Sequence, residues 1–268
     1  MGWPVMHSRS PKLHNYWLAQ HHLIGAYVPL AIKEDGLEKA LRALPALGFS
    51  GCNLTIPHKE QAMKIVDHVD PVAKRIGAMN CVIVGADGSL SGTNNDGFGY
   101  IASIREAKPD WRADQGPIVV LGAGGAARAV LVSLIDEGAK EIRLLNRTGA
   151  RAEELAREFG GPIKTYPWSA RHEVLDGAAM LINTTSQGMV GQPEQDLVLD
   201  RLPTSALVSD IVYIPLETTL LAAARKRGNT TVNGLGMLLH QARPAFKAWF
   251  GVMPEVTKDL RSMIEATI

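Results

Sequence analysis

The sequence predicts an α/β fold in two parts, and three observations carry that reading. Apolar runs of strand length alternate with stretches of helical period along most of the 268 residues. Residues 117–121 form one unbroken apolar run that ends at Gly122-Ala123-Gly124-Gly125 and passes into a helical stretch, the order of strand, tight turn and helix in a doubly wound parallel sheet. From Leu235 the period turns helical again and stays so to the end, with a second helix after Pro254, so the C-terminal helices are expected to return to the first part. The expected division is residues 1–100 with 235–268, and residues 101–234.

In the first part the pattern predicts a helix from Pro11 to His21, a strand from Tyr27 to Ile32, a helix from Leu37 to Leu44, a strand from Gly51 to Ile56 and a helix after Pro57. Strands near Asn80–Val84 and Leu90–Gly92 follow, with Asp87-Gly88 as a hairpin turn between them. A mostly parallel sheet with one antiparallel excursion accounts for this order. A connecting helix over Phe98–Ala107 leads to the polar segment Lys108–Gly116, which reads as a surface turn into the second part. There, strands are expected at 117–121, 141–145, 163–166, 179–183 and 206–211, with helices opening at Gly125 and covering Gly149–Phe159 and Leu216–Lys226.

The glycine turn points to a Rossmann-type site for a dinucleotide. Gly122 permits the tight exit from the strand, Gly124 lets the backbone approach an anion, and the helix beginning at Gly125 and Ala126 aims unpaired N–H groups at phosphates. Ala127 replaces the usual third glycine, a variant that still allows close helix packing. Roughly 20 residues on, an NAD site places an acid for the ribose 2′-hydroxyl. This chain has Asn146-Arg147-Thr148 instead, and Arg151 one helical turn later. Two guanidinium groups suit a 2′-phosphate, so NADP is expected over NAD; the plainer alternative is that both arginines solvate a helix end.

Composition narrows the classes. With 46% hydrophobic residues the chain has ample material for packed cores. Lys+Arg at 28 against Asp+Glu at 27, scattered without blocks, argue against nucleic acid as the main partner. No apolar stretch reaches about 18 residues and no charged-then-apolar leader opens the sequence, so neither a membrane span nor export is expected, and the cytoplasm is the expected location. Cys52 and Cys81 show no ligand spacing and read as reduced thiols, each beside an asparagine (Asn53, Asn80) on an alternating strand. His7, His14, His21 and His22 are dispersed about one helix in surface or cap roles, so no metal is expected.

For chemistry outside the glycine-rich part, Lys59 and Asp96 are the candidates for proton transfer. Lys59 follows the polar strand end Asn53-Leu54-Thr55-Ile56-Pro57, where a helix N-terminus would disfavour an ammonium and a nearby carboxylate would favour it. Taken singly, Asp96 reads equally as a helix cap and Lys59 as a surface lysine. Together with Asn53, Thr55 and Asn80 they read as a site.

These stretches, in order, with His7-Ser8-Arg9-Ser10-Pro11, Gly77-Ala78-Met79-Asn80, Asn94-Asn95-Asp96-Gly97, Asn183-Thr184-Thr185-Ser186 and Asn233-Gly234-Leu235-Gly236-Met237, resemble the shikimate dehydrogenase family across nearly the whole chain. The resemblance implies reversible, NADP-dependent oxidation of shikimate to 3-dehydroshikimate, a step of aromatic amino-acid biosynthesis, by a substrate domain and an NADP-binding domain. It implies Lys59 as proton donor or acceptor and Asp96 as the group orienting it. Ser8 and Ser10 match the hydroxyls that hold the substrate carboxylate; Thr55, Asn80, Tyr213 and Gln241 match positions around the substrate ring. Gly122, Ala123, Gly124, Gly125, Ala126, Asn146, Arg147, Thr148, Arg151, Thr184 and Ser186 fall to the cofactor, with Gly234 and Met237 near the nicotinamide. Without the resemblance, Ser8-Arg9-Ser10 reads as a helix cap. A cleft is expected to close over the substrate, with the segment after Ser186, rich in Gly188, Gly191 and Pro193, as its mobile wall. The partner is a small molecule, and the assembly a monomer or homodimer.

The sequence departs from the family pattern at three places. Asn95 stands where a threonine is usual, which removes a hydroxyl near Asp96; His58 stands where an aromatic or apolar residue is common; and a short strand usual before Gly2-Trp3-Pro4 is curtailed or the start is misassigned. Quinate with NAD, or a non-catalytic sensor, are the competing readings. A proton-transfer pair is superfluous in a sensor, and Ser8, Ser10 and Arg147 favour shikimate and NADP.

Overall fold

The computed structural model describes residues 1–268. The chain divides into two compact units, Met1–Asp96 with Leu239–Thr267, and Gly97–Leu238, Ile268 being grouped with the second. No helix is long and apolar enough to cross a membrane.

The first unit opens with α1 (Ser10–Gln20), which buries Leu13, His14, Trp17 and Leu18 on one face. After α2 (Leu37–Ala43) come β1 (Gly51–Asn53), β2 (His68–Val69), α3 (Pro71–Ile76), β3 (Cys81–Val84) and β4 (Leu90–Thr93). Asp70 caps α3 by accepting from the Ala73 N–H, and Gly77 closes it in a left-handed conformation at φ 75°. The sheet order is β1-β3-β4-β2. Both β1–β3 and β3–β4 are antiparallel and only β2–β4 is parallel, which overturns the expectation of a mostly parallel sheet.

Two expected elements are replaced. Tyr27–Ile32 forms no ladder, because the Asn15 side-chain amide takes the Tyr27 N–H and C=O at 2.8 and 2.9 Å; a single bridge joins Ala31 to Gly2. Extended residues Met1–Trp3 run between that segment and Asn53–Ile56, bonding to both sides. No α-helix follows Pro57. The Lys59 carbonyl accepts from the Met79 N–H at 3.0 Å rather than from Met63, whose N–H turns to Glu60, so a turn and a short 3₁₀ helix over Gln61–Lys64 take its place.

The second unit begins within α4 (Asp96–Ala107). It continues through β5 (Ile118–Leu121), α5 (Gly125–Asp136), β6 (Ile142–Leu145), α6 (Gly149–Phe159), β7 (Ile163–Tyr166), β8 (Met180–Asn183), β9 (Leu207–Asp210), α7 (Thr219–Lys226) and β10 (Thr230–Val232), and ends within α8 (Gly234–Phe250). The sheet order β10-β9-β8-β5-β6-β7 is parallel throughout. Order reverses between β5 and β8, where a doubly wound sheet offers its ligand crevice. Both faces are covered: Ile118, Val120, Ile142, Leu144 and Met180 enter one core, Val119, Leu121, Leu145, Leu181 and Val208 the other. That is why β5 reads as an unbroken apolar run. The segment Lys108–Gly116 is a turn, but Trp111 and Ala113 are buried in the first of these cores rather than lying on the surface.

The last part of α8 and α9 (Lys258–Glu265) return to the first unit. Phe246, fully buried, lies 5.5 Å from the Trp17 ring and 6.0 Å from His14; the Trp249 indole N–H donates to the Val82 carbonyl at 3.0 Å, and the Trp17 N–H to that of Glu255 at 3.0 Å. His14 belongs to this aromatic core and not to the surface. Its ring stacks on Tyr27 at 4.3 Å and 5°, and burial pushes its pKa down to about 3.

Candidate active site

The first unit brings Lys59 and Asp96 together. Lys59 Nζ donates to Asp96 Oδ2 at 2.5 Å, and the two side chains are only 25% and 10% exposed. The other carboxylate oxygen, Oδ1, accepts from Asn80 Nδ2 at 2.7 Å. Asn80 also reaches Gln241 Oε1 at 3.2 Å, and its own Oδ1 takes the Asn95 N–H at 2.9 Å. The turn after Pro57 aims the lysine, and an Asn94 side chain that accepts the Asp96 N–H at 2.9 Å fixes the acid at the opening of α4. Asp96 is thus both the first residue of a helix and a partner of Lys59. One of three ammonium donors is spent on the carboxylate, so the same nitrogen can still meet a substrate oxygen.

A second cluster is connected to the first. Ser8, Tyr27, Asn53 and Thr55 line a small cavity in this unit. Tyr27 donates its hydroxyl to Asn53 Oδ1 at 2.9 Å, and Asn53 Nδ2 donates to the Asn80 carbonyl at 3.1 Å, so hydrogen bonds run unbroken from the cavity to Asp96. Ser8 Oγ accepts the Ser10 N–H at 3.2 Å at the start of α1, a helix with no acid in its first turn. The N-cap of α1 is Arg9, which makes no side-chain cap bond, so Ser8 closes a two-residue turn ahead of the helix rather than capping it. Arg9, between the two serines, is tied to the Thr267 carbonyl at 2.5 Å. Cys52 and Cys81 are buried thiols; burial raises Cys52 to about 11 and Cys81 further.

In the second unit most residues expected at a cofactor gather at the carboxyl ends of β5, β6 and β8, while Gly234 and Met237 stand in the first turn of α8 after β10. Gly122 has φ 108°, and a Cβ there would sit 2.6 Å from Thr184 Oγ1, whose hydroxyl donates to the Leu121 carbonyl at 2.7 Å. Only glycine fits between the two strand ends. A Cβ at Gly124 or Gly125 meets nothing within 4 Å, both residues are exposed, and α5 has no acid in its first turn. That combination keeps open room for an anionic group against unpaired N–H donors, with Ala123 and Ala126 half-buried beside it. The Ala123 N–H is taken by Asn146 Oδ1 at 3.2 Å, while Arg147, Thr148 and Arg151 stand exposed next to it. Neither arginine forms an ion pair with a protein carboxylate. Ser186 opens the turn 186–189, Gly188 and Val190 are bonded back to Pro193 and Ile214, and Met237 packs against the core; a Cβ on Gly234 would overlap the Ile211 carbonyl. Tyr213 lies in the loop after β9.

Family models for the shikimate dehydrogenase substrate-binding domain, for shikimate/quinate 5-dehydrogenase and for the shikimate 5′-dehydrogenase C-terminal domain match residues 1–82, 105–211 and 234–263. The chain belongs to the shikimate dehydrogenase family. A relative from Rhodospirillum rubrum, named shikimate dehydrogenase (NADP(+)), is 56% identical, covering 98% of this chain and 95% of its own. The Thermus thermophilus family member solved with NADP(H) and shikimate is 35% identical with a TM-score of 0.86, covering 99% of this chain and 95% of its own. A quinate dehydrogenase from Corynebacterium glutamicum solved with NAD is 29% identical with a TM-score of 0.90 over the same shares.

Of the departures from the family pattern, His58 is buried and its Nε2 bonds the Ile32 carbonyl at 2.8 Å, so it anchors the lysine turn from behind. Asn95 contributes its backbone to Asn80 and leaves its side-chain amide nitrogen buried without an oxygen or nitrogen partner. Tyr27 was not singled out by its sequence, because an aromatic residue in an apolar stretch gives no sign of where its hydroxyl goes. Asp210 ends a strand buried on both faces, and an acid in that position is itself a signal of function.

Proposed function

We propose that this protein catalyses the reversible oxidation of shikimate to 3-dehydroshikimate with NADP, a step of aromatic amino-acid biosynthesis, in the cytoplasm. The observation that carries it is the 2.5 Å contact between Lys59 and Asp96 within a network of buried amides. The first unit would bind the substrate and the second the cofactor. Ser8 and Ser10 would donate hydroxyls to the substrate carboxylate, helped by the N-terminus of α1. Thr55, Asn80, Tyr213 and Gln241 would bond the ring hydroxyls, a set of neutral groups that discriminates by geometry rather than charge.

NADP held by the second unit would supply the hydride acceptor or donor for the reacting ring carbon. Lys59 handles the proton: in oxidation the neutral amine takes it from the substrate hydroxyl, and in reduction the ammonium returns it to the carbonyl oxygen. Asp96 holds that nitrogen in place. The pyrophosphate would lie on the N–H groups of Gly124, Gly125 and Ala126, with Gly122 and Ala123 around it, and Thr184 and Ser186 would line the site between it and the nicotinamide. Asn146, Arg147, Thr148 and Arg151 would hold the 2′-phosphate, and Gly234 and Met237 would flank the nicotinamide.

Initial rates with shikimate or quinate, each with NADP or NAD, test the reading. The fastest pair is expected to be shikimate with NADP, and Arg147→Ala is expected to raise the NADP KM about tenfold or more while leaving the NAD KM within about twofold. Protein that binds both ligands without turnover would make it a sensor; an Arg147→Ala variant with its NADP preference intact would remove the argument for the cofactor.

A further inference from the structure

Asp210 ends β9 with only 1% of its surface exposed, and no cation pairs with it. Its carboxylate is instead divided among three neutral donors: Oδ1 accepts from Asn183 Nδ2 and from the Val212 N–H, both at 3.0 Å, and Oδ2 from the Thr218 hydroxyl at 2.8 Å. Burial pushes the acid's pKa up, and those three hydrogen bonds oppose the shift. An unpaired charge kept inside a sheet end is costly, and hydrophobic residues would fill the same volume more stably.

Asn183 opens one loop, and Val212 and Thr218 stand at the two ends of another, between β9 and α7. Asn183 also accepts the Thr185 N–H at 3.0 Å and hydroxyl at 2.7 Å, and donates to the Gln187 carbonyl, which shapes the turn that carries Thr184 and Ser186. Val212 precedes Tyr213, and its carbonyl accepts the Gly234 N–H at 3.0 Å. Thr218 caps α7 through the Leu221 N–H. One buried carboxylate therefore joins the ends of β8, β9 and β10, whose loops hold the residues assigned above to the nicotinamide and to the substrate ring.

We propose that Asp210 is a positioning residue that sets the nicotinamide end of the cofactor site through Asn183, Val212 and Thr218. The inference rests on the cofactor placement proposed above. None of its partners belongs to the phosphate-binding turn at Gly122–Ala126 or to Asn146–Arg151, so its loss should be felt by half of the dinucleotide only.

Asp210→Asn tests this: Asn183 and Val212 both need the remaining oxygen, so the amide nitrogen faces the Thr218 hydroxyl, which must turn from donor to acceptor and give up its hold on the strand end. Calorimetric titration of the full chain with NADP⁺ and with adenosine 2′,5′-bisphosphate separates the two halves. The expected result is an NADP⁺ Kd raised about fivefold or more, a bisphosphate Kd within about twofold of wild type, and kcat lowered about 10–100-fold, the scale at which small misplacement of reacting groups acts. Thr218→Val, which removes one donor, should show the same split at smaller size and decides the matter if Asp210→Asn fails to fold. Equal weakening of both ligands, or no change in either, would overturn the proposal. Wild-type protein that binds neither would overturn the cofactor placement itself, and this inference with it.

Discussion

At the level of single residues, chemistry and stability place opposite demands on buried polar groups. Lys59 and Asp96 satisfy each other, and their pairing leaves the amine directed by an acid that Asn80 and Asn94 already hold. Lys59→Ala is expected to lower kcat by about 10²–10⁴ with a much smaller change in the shikimate KM, since the amine contributes in the transition state more than in binding. Asp96→Asn should damage both constants, because it frees the lysine and disturbs Asn80. Steady-state rates check this, and unchanged turnover in the lysine variant would end its assignment. His14 has no such partner: both ring nitrogens are buried without one. Its folded pKa of about 3 lies below the ordinary value of 6.5, so the unfolded chain takes up the proton first as pH falls. The stability tied to neutral His14 is complete above pH 6.5 and is lost progressively down to about pH 3. Between pH 7 and pH 5 that loss amounts to roughly 2 kcal/mol. His14→Phe should remove it, and denaturant titrations showing the same pH dependence in variant and wild type would contradict the account.

Among the elements, the glycine turn separates two roles that one motif combines. Gly122→Ala places a Cβ 2.6 Å from Thr184 Oγ1 at φ 108°, so it should destabilise the protein by about 1–3 kcal/mol. Gly124→Ala meets open space at φ −98°, so its melting temperature should hold while NADP affinity falls about tenfold, the methyl occupying the room a pyrophosphate needs. Thermal melts with and without NADP distinguish them; a Gly124→Ala protein that binds NADP like wild type would remove the pyrophosphate from this turn. The turn, β5, α5 and β6 were legible because propensity, period and turn chemistry agree there. The region around Lys59 was not. Helix formers follow Pro57, yet the Lys59 carbonyl is claimed by Met79, a partner twenty residues away that no local pattern announces. Likewise Tyr27–Ile32 is an apolar run of strand length, but Asn15 takes the Tyr27 backbone. The antiparallel pairing of β1 with β3 depends on which strands meet, and local pattern does not specify that. The two-residue β2 and three-residue β10 are too short to carry a period.

For the molecule as a whole, the order of the chain makes the two units unequal. Residues 97–238 are continuous and contain all six parallel strands, and every residue of both cores flanking that sheet lies within them. Residues 1–96 are incomplete by themselves, since their aromatic core needs Phe246, Trp249 and Phe250 from α8, and α9 adds buried Leu260 and Ile264. Removing a buried phenylalanine side chain alone typically costs about 3–5 kcal/mol, a large share of a domain's net stability of about 5–15 kcal/mol. A fragment of residues 97–238 is therefore expected to unfold cooperatively and to gain about 2.7 kcal/mol from NADP at one hundred times its Kd. A fragment of residues 1–96 is expected to lack a cooperative transition until residues 239–268 are supplied on the same chain through a short linker. Calorimetry of the three fragments decides it: cooperative melting of residues 1–96 alone would show that the C-terminal helices are not needed to complete that core.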